Sequence, residues 1–227
     1  MYGFPPDLAA SVHTIMRNAG MRCRETRETL GKAIHERGRD IKLVADQSLE
    51  AELVRSLQAL LPLPAFSEEA GWSLLSSSET SLHWVIDPLD GTYNYWRGQP
   101  TFCIAVAICQ GMTPLFGAIY DIANDDFYVG GRDLPATCND QPIAVSNASQ
   151  PDQACLMTGL PVGGDIGPEA MSSFGRDLNQ WKKVRMIGSA AMSLAHVAAG
   201  RTERSVFIGG MSPPVSPLCR PLAASIR

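Results

Sequence analysis

The 227-residue sequence has little positive charge. Its 19 lysine and arginine residues are outnumbered by 23 aspartate and glutamate residues, which gives a formal net charge of −4. A protein that binds the nucleic-acid backbone needs a basic surface, so the composition argues against a nucleic-acid partner. An anionic substrate would need a bound cation to offset its repulsion by this chain.

The sequence also lacks a long hydrophobic run. The longest, residues 102–109, is far shorter than the roughly 20 apolar residues that cross a bilayer. Residues 1–6 contain no basic stretch followed by an apolar block, so no signal peptide is predicted. We therefore expect a cytoplasmic protein without a membrane partner.

Paired cysteine motifs are missing as well. The six cysteines include no CxxC pair and no histidine at the spacing of a zinc site. Buried free thiols in a reducing compartment are the simplest interpretation.

With 45% hydrophobic residues and no internal repeat, the chain can fold around a sizeable core. Apolar residues at helical spacing predict helices over 7–36, 47–61 and 190–199. Short β-branched or aromatic runs between Gly, Asn and Asp predict strands over 82–86, 102–110, 114–120, 126–129, 154–158 and 184–187. This order predicts an α/β (α+β) layered domain with helices packed on sheets.

Residues 84–92, WVIDPLDGT, carry the strongest chemical signal. Pro88 lacks a backbone donor and should end the strand, which leaves Asp87 at its mouth. Asp90 follows three residues later, with the carbonyl of Leu89 between the two carboxylates. Two carboxylates and a carbonyl in a tight turn are oxygen ligands that a hard divalent cation prefers.

Gly91 and Thr92, which follow, suit a phosphate. A glycine lets the backbone approach a ligand closely, and the next residues could begin a helix whose N–H groups face an anion. The hydroxyl of Thr92 can orient a water. The same letters also suit an ordinary type I turn with a helix cap, so both interpretations stay open on these residues alone.

Other acidic positions favour a site over a plain turn. Glu68 and Glu69 stand together between an apolar run and Gly71, where a solvated loop would not need both. Asp46 follows the mainly apolar residues 41–45 at the start of the second predicted helix. Taken alone, Asp46 is more simply explained as a helix cap.

Taken together, these residues resemble the inositol monophosphatase family, the magnesium-dependent, lithium-sensitive sugar phosphatases. The similarity lies in DIKLVADQSLE (40–50), SEEAG (67–71), WVIDPLDGTYNYWRGQP (84–100) and IGSAAMSLAHVAAGR (187–201). The resemblance implies an αβαβα fold over residues 1–204 and hydrolysis of a phosphate monoester by Mg²⁺-activated water. Inositol monophosphate or a related sugar phosphate is the implied substrate, and a homodimer the implied assembly.

The resemblance also implies roles by position. Two or three Mg²⁺ ions are expected, with ligands from Glu68, Asp87, the carbonyl of Leu89 and Asp90. Asp46 matches the acid that supports the third, weaker ion, and Thr92 the residue that helps activate the attacking water. The backbone of Gly91 and Thr92 would face the phosphate, and Gly188, Ser189 and Ala190 would contact the sugar hydroxyls.

Two alternative activities share the same metal core, a 3′(2′),5′-bisphosphate nucleotidase and a fructose-1,6-bisphosphatase. The continuation TYNYWRGQP is more similar to inositol phosphatases than to nucleotidases. A reading of another class is a non-catalytic remnant that acts as a binding or interaction protein.

The end of the chain departs from the family pattern, which closes its site with Trp-Asp and a small-residue helix. Residues 205–227 contain four prolines instead. Codons permitted for residues 209–227 can encode Trp-Asp-Val-Ala-Ala-Gly when they are read one frame over. We therefore interpret 205–227 as an out-of-frame tail that follows a frameshift near 203–205. We expect this chain to fold poorly or to have almost no activity, because one metal ligand and part of the core would be missing.

Overall fold

The computed structural model describes residues 4–30, 33–37, 40–67, 71–72, 82–160 and 167–207. These residues form a mixed α/β fold with an eight-stranded sheet, a three-stranded sheet and a separate β-hairpin. The helices are α1 Leu8–Glu25, α2 Arg27–Leu30, α3 Val44–Leu60, α4 Thr92–Arg97, α5 Pro168–Leu178 and α6 Ala190–Ala198. Among these helices, none is both long and apolar enough to cross a membrane.

The first predicted helix, 7–36, is wrong beyond residue 30. Helix α1 ends at Glu25, where the hydroxyl of Thr26 donates a hydrogen bond to the carbonyl of Arg22 at 2.6 Å. The buried residues of α1 end at Cys23, so no apolar stripe carries the helix further. After the short α2, the chain forms a hairpin from β1 Ala33–Arg37 and β2 Asp40–Leu43.

Helix α3 confirms the second predicted helix but begins three residues earlier, at Val44. The side chain of Asp46 accepts a hydrogen bond from the backbone N–H of Leu43 at 2.6 Å, which satisfies a donor that the helix start leaves free. The helix ends just before Leu61 and Pro62.

The eight-stranded sheet has the order β10-β9-β8-β7-β6-β5-β3-β4. Strands β5 to β8 form the predicted antiparallel meander, and β9 and β10, which were not predicted, continue it. Strand β3 lies parallel to β5. The bounds are β3 Ala65–Ser67, β4 Gly71–Trp72, β5 Leu82–Asp90, β6 Cys103–Gln110, β7 Thr113–Asp121, β8 Asp126–Gly131, β9 Leu134–Cys138 and β10 Gln141–Pro142.

Strand β5 does not end before Pro88, as the sequence predicted. It continues to Asp90, and its pairing with β6 changes register between Asp87 and Asp90. A bulge accommodates the missing donor of Pro88, so the strand bends there instead of stopping.

Both faces of this sheet are buried, which explains the continuous apolar run of β6. Trp84 and Ile86 face the core shared with α1 and α3. Val85, between them, faces a second core that includes Met192 and Ala195 of α6. The alternation follows the two-residue period of a strand.

The three-stranded sheet is parallel, with β11 Cys155–Gly159 between β12 Lys183–Arg185 and β13 Arg204–Phe207. Helix α6 contacts both this sheet and the large one. On the far side, Phe174 of α5 lines a cavity together with Leu156 and Thr158 of β11. The layers therefore follow the predicted αβαβα order.

Helix α5 and strand β13 were not predicted. Strand β13 extends to Phe207, three residues past the boundary predicted at residue 204. The rest of the predicted tail lies outside the described residues.

Candidate active site

The turn at the end of β5 has the tight geometry that its sequence predicted. The backbone N–H of Leu89 donates to Oδ1 of Asp87 at 3.2 Å. Gly91 has φ +86°, and a Cβ on it would lie 2.8 Å from the carbonyl oxygen of Thr101. Only glycine fits this left-handed, crowded position without strain. Helix α4 then begins at Thr92, as expected.

Thr92 joins this turn to α3. Its hydroxyl lies 2.9 Å from the carbonyl oxygen of Leu89 and 3.3 Å from Oδ1 of Asp46, and can donate to either. Asp46 is 3% exposed, and its other oxygen accepts from the backbone N–H of Leu43. The two interpretations of Asp46 are therefore compatible, since one carboxylate stabilises the helix start and contacts a predicted site residue.

Asp90, the last residue of β5, lies next to the beginning of α6. Its carboxylate accepts hydrogen bonds from the hydroxyl of Ser189 and from the backbone N–H groups of Ala190 and Ala191, at 3.3 and 2.8 Å for the two amides. The thiol of Cys103 lies 3.8 Å from Oδ2. Burial raises the pKa of Asp90, and the hydrogen bond from Ser189, with those of the two amides, partly offsets this effect.

The predicted sugar-contacting segment is thus placed against Asp90. The hydroxyl oxygen of Ser189 also accepts from the backbone N–H of Met192 at 3.2 Å, which caps α6. Gly188 has φ +71°, a conformation that glycine adopts readily. The roles predicted for Gly188, Ser189 and Ala190 toward a sugar stay predictions.

Glu68 lies outside the described residues. The residue before it, Ser67, ends β3 and pairs with Ile86, one position before Asp87. The hydroxyl of Ser67 donates to the carboxylate of Glu50, which is 7% exposed. Because β3 and β5 run parallel, the chain leaves both strands at the same edge of the sheet.

The donors at this edge suit a hard divalent cation in their chemistry. Asp46 and Asp87 are almost fully buried carboxylates, Asp90 is a partly buried one, and the carbonyl of Leu89 lies in the same turn. Oxygen ligands of this kind are those that Mg²⁺ takes in proteins. Within the described ranges, no group of three or more His, Cys, Asp or Glu residues is arranged to hold a metal ion. A complete metal site would therefore need a ligand such as Glu68.

Sequence reasoning missed three residues that the structure places around the site. Glu50 lies one helical turn after Asp46, Asn94 lies on α4, and Cys103 pairs with Asp90 across the sheet. Burial, followed by the charges of Asp90 and Asp87, raises the pKa of Cys103 well above its usual range. The i, i+4 spacing of the two α3 acids was the only signal in the sequence that could have identified one of the three.

Two cavities lie elsewhere in the described part of the chain. One, of about 300 Å³, lies between the beginning of α1 and the β7 and β9 strands, and includes Phe4, Leu8 and Phe116. The other, of about 280 Å³, lies between α5 and β11. Neither contains a predicted site residue.

The chain is similar to known proteins over most of its length. The sequence profile of the inositol monophosphatase family matches residues 7–213. Nus factor SuhB of Xylella fastidiosa is 31% identical over 160 residues, which are 70% of this chain and 57% of that protein. Inositol monophosphatase 1 of Solanum lycopersicum is 33% identical over 130 residues, which are 56% of this chain and 47% of that protein.

A solved structure agrees with this relationship. The inositol monophosphatase of Anabaena has a TM-score of 0.79 and 28% identity, with 94% of this chain and 81% of that chain covered. The chain spans about half to three fifths of the length of the two curated relatives above. The profile match extends over nearly the whole sequence, and the chain belongs to the inositol monophosphatase family.

Proposed function

We propose that this chain carries the active site of a phosphoric monoester hydrolase that acts on an inositol phosphate or a related sugar phosphate with the help of Mg²⁺. The observation that carries the proposal is the convergence of three chain segments. The turn after β5, the beginning of α3 and the beginning of α6 meet through hydrogen bonds of Thr92 to Asp46 and of Ser189 to Asp90.

Thr92 and Asp46 are proposed to take up the proton that the attacking water releases. A hydroxyl has one hydrogen and two acceptor lone pairs, so Thr92 can accept from a water while it donates to Asp46. Asp46 is held by Leu43 on its other oxygen, which keeps the accepting oxygen toward Thr92. A base fixed within hydrogen-bond reach in this way contributes about 10²–10⁴-fold to a rate.

Glu68, Asp87, the carbonyl of Leu89 and Asp90 are proposed to hold two Mg²⁺ ions, with a third near Asp46. The bound ions would neutralise the phosphate and make a water more acidic. The backbone of Gly91 and Thr92 is proposed to face the phosphate. Gly188, Ser189 and Ala190 are proposed to contact the sugar hydroxyls. They follow β12 in the chain and lie next to Asp90.

The substrate could differ from an inositol phosphate. A 3′(2′),5′-bisphosphate nucleotidase and a fructose-1,6-bisphosphatase are the competing activities, and a substrate panel distinguishes them. The net charge of −4 supports a small phosphorylated molecule over a nucleic acid as the partner. We also propose a cytoplasmic location, supported by free thiols at the five described cysteines, and a homodimer.

The tail over residues 205–227 is proposed to follow a frameshift near residues 203–205. A chain without the Trp-Asp motif would lack a ligand for the second ion, so we expect almost no turnover from it. The non-catalytic remnant is the second candidate function, favoured by this absence.

The test measures the hydrolysis of a panel of phosphate esters in the presence of Mg²⁺. It compares this chain with a frame-restored chain, in which the shifted reading frame encodes the tail. The panel contains inositol phosphates, 3′-phosphoadenosine 5′-phosphate and fructose 1,6-bisphosphate. We expect the restored chain to prefer an inositol phosphate and this chain to be nearly inactive. Robust turnover by this chain would contradict the predicted effect of the tail, and no turnover by either chain would favour the remnant.

A matched pair of variants tests the roles of individual residues in the restored chain. Thr92→Val should lower kcat about 100-fold, because it removes the hydroxyl that joins the water to Asp46. Thr14→Val is the control, since the Thr14 hydroxyl donates to Ala10 on α1, away from the site. Equal activities of the two variants would contradict the role of Thr92.

A further inference from the structure

Asn94 connects the two parts of the candidate site, which are the turn Asp87–Thr92 and the segment 187–191. It lies in the middle of α4 and is 5% exposed. Its side-chain Nδ2 donates to the carbonyl oxygen of Thr101 and to that of Ile187, each at 2.7 Å. The amide nitrogen carries two hydrogens, so these two bonds use all of its donor capacity.

Both acceptors border functional backbone. The carbonyl of Thr101 is the group that lies against Gly91 in the turn after β5. Ile187 begins the segment 187–191, whose hydroxyl and amides hold the carboxylate of Asp90. Asn94 therefore ties α4 to a segment 93 residues away in sequence.

The contact with this segment is close as well as polar. A Cβ on Gly188 would lie 3.1 Å from both Nδ2 and Oδ1 of Asn94. The absence of a side chain at Gly188 lets the segment approach the amide. Nothing larger fits there without displacing Asn94 or the segment.

We propose that Asn94 is a positioning residue, which holds the segment 187–191 in register with the turn Asp87–Thr92 and so orients Asp90. The inference rests on the proposed function, in which Asp90 is a metal ligand. Asn94 itself would touch neither the substrate nor the metal. Its effect passes through the backbone of Ile187 and Gly188 to the amides of Ala190 and Ala191.

Residue-resolved hydrogen exchange on the intact 24.5 kDa chain tests this directly. In Asn94→Ala, the amides of Ala190 and Ala191 should exchange about tenfold faster, because the segment loses the bond that fixes its beginning. Asn94→Leu nearly keeps the shape of the side chain and removes both donors, so it should give the same local increase. It also serves as the second variant if Asn94→Ala fails to fold.

Tyr95→Phe is the matched control. The Tyr95 hydroxyl is on the same helix, is fully buried, and donates to the carbonyl of Cys23 at 2.9 Å, which leads toward α1. Tyr95→Phe should lower the global free energy of unfolding by about as much as Asn94→Ala does. The exchange of Ala190 and Ala191, relative to that of other amides in the chain, should stay unchanged. The proposal would be overturned if Asn94→Ala and Tyr95→Phe accelerated the exchange of these amides equally, or if neither Asn94 variant accelerated it.

A second measurement separates this proposal from the proposed function. In the frame-restored chain, the Mg²⁺ concentration that gives half of the thermal shift should rise about tenfold in Asn94→Leu and stay constant in Tyr95→Phe. If the frame-restored chain shows no Mg²⁺-dependent shift, the proposed function is contradicted. The exchange experiment still decides the position of Asn94, because it needs no metal and no turnover.

Discussion

The two sheets differ in how well the rest of the chain covers them. The eight-stranded sheet has α1 and α3 on one face and α6 on the other, and the middle residues of β6 are fully buried. The three-stranded sheet shares α6 but is covered on its far side by α5, of which only Phe174 is buried. Two candidate ligands, Asp87 and Asp90, lie on the large sheet, whereas the segment that holds Asp90 follows β12 of the small one.

The comparison indicates that the candidate site combines a firmly packed half with a weakly packed half. Local opening is easier where few apolar contacts are buried. We therefore expect the segment from β12 to α6 to be the part of the site most sensitive to substitution nearby. Two pairs of variants compare the stability of the two sheets, a third pair compares two serines at their junction, and a single variant tests an ion pair at the large sheet.

The largest difference is expected from truncating one core aromatic on each sheet. Trp84→Ala should lower the free energy of unfolding by about 4 kcal/mol, because Trp84 is fully buried and its indole N–H donates to Leu61 at 3.1 Å. Phe174→Ala should cost about 2 kcal/mol, since Phe174 already lines a cavity. Urea unfolding measures both, and equal losses would mean that the two sheets are equally well packed.

A smaller effect is expected at the junction of the two sheets. Ser189→Ala should cost about 2 kcal/mol, because it removes both the cap of α6 and a hydrogen bond to the partly buried Asp90. Ser193→Ala is the control on the same helix, where the hydroxyl donates to the carbonyl of Ser189. We expect less than about 1 kcal/mol for it. A larger loss in the control would show that the cap matters little.

A glycine-to-alanine substitution should lower stability in a helix on the large sheet and raise it in a helix on the small sheet. Gly20→Ala on α1 should destabilise by about 1–2 kcal/mol, because its Cβ would lie 2.6 Å from the ring of Tyr120 on β7. Gly175→Ala on α5 meets no atom within 4 Å and should stabilise by about 0.5–1 kcal/mol through its better helix propensity. Thermal unfolding of both variants reports the signs, and a stabilising Gly20→Ala would contradict tight packing of α1.

The smallest effect is electrostatic and belongs to the large sheet. A bidentate bond from Arg17, with a second from Tyr120, lowers the pKa of Asp125 to about 2. Because the folded pKa is below the unfolded value of about 3.9, this stability is present above pH ~4 and is lost as the pH falls toward 2. Asp125→Asn should flatten the acid limb of the stability curve slightly, since the pair is solvent-exposed. An unchanged limb would mean that the pair contributes nothing.

Much of the fold could be predicted where the signal is local. The spacing of Leu49, Leu53 and Leu57 predicted α3, and the β-branched runs predicted the meander from β5 to β8. The predictions failed where a local rule met an exception. Pro88 bends β5 instead of ending it, and the helix predicted over 7–36 ends at Glu25 because its buried stripe stops.

Elements with weak local patterns were missed. Helix α5 buries one side chain, and β13 consists of four residues, three of which lie within the predicted tail. Their positions depend on β11, which pairs with β13 across 48 residues of sequence. No periodicity within so short a segment distinguishes it from a loop.

By itself, the sequence determined which chemical groups the candidate site contains. The carboxylates of Asp87 and Asp90, with Gly91 and Thr92 beside them, follow from a short motif whose backbone demands are local. Only the tertiary structure decided what those groups contact. The amide of Ala191 donates to Asp90 across 101 residues, and Asn94 donates to Ile187 across 93. Such contacts depend on how α6 packs between two sheets, and the side chains that form them leave no local pattern in the sequence.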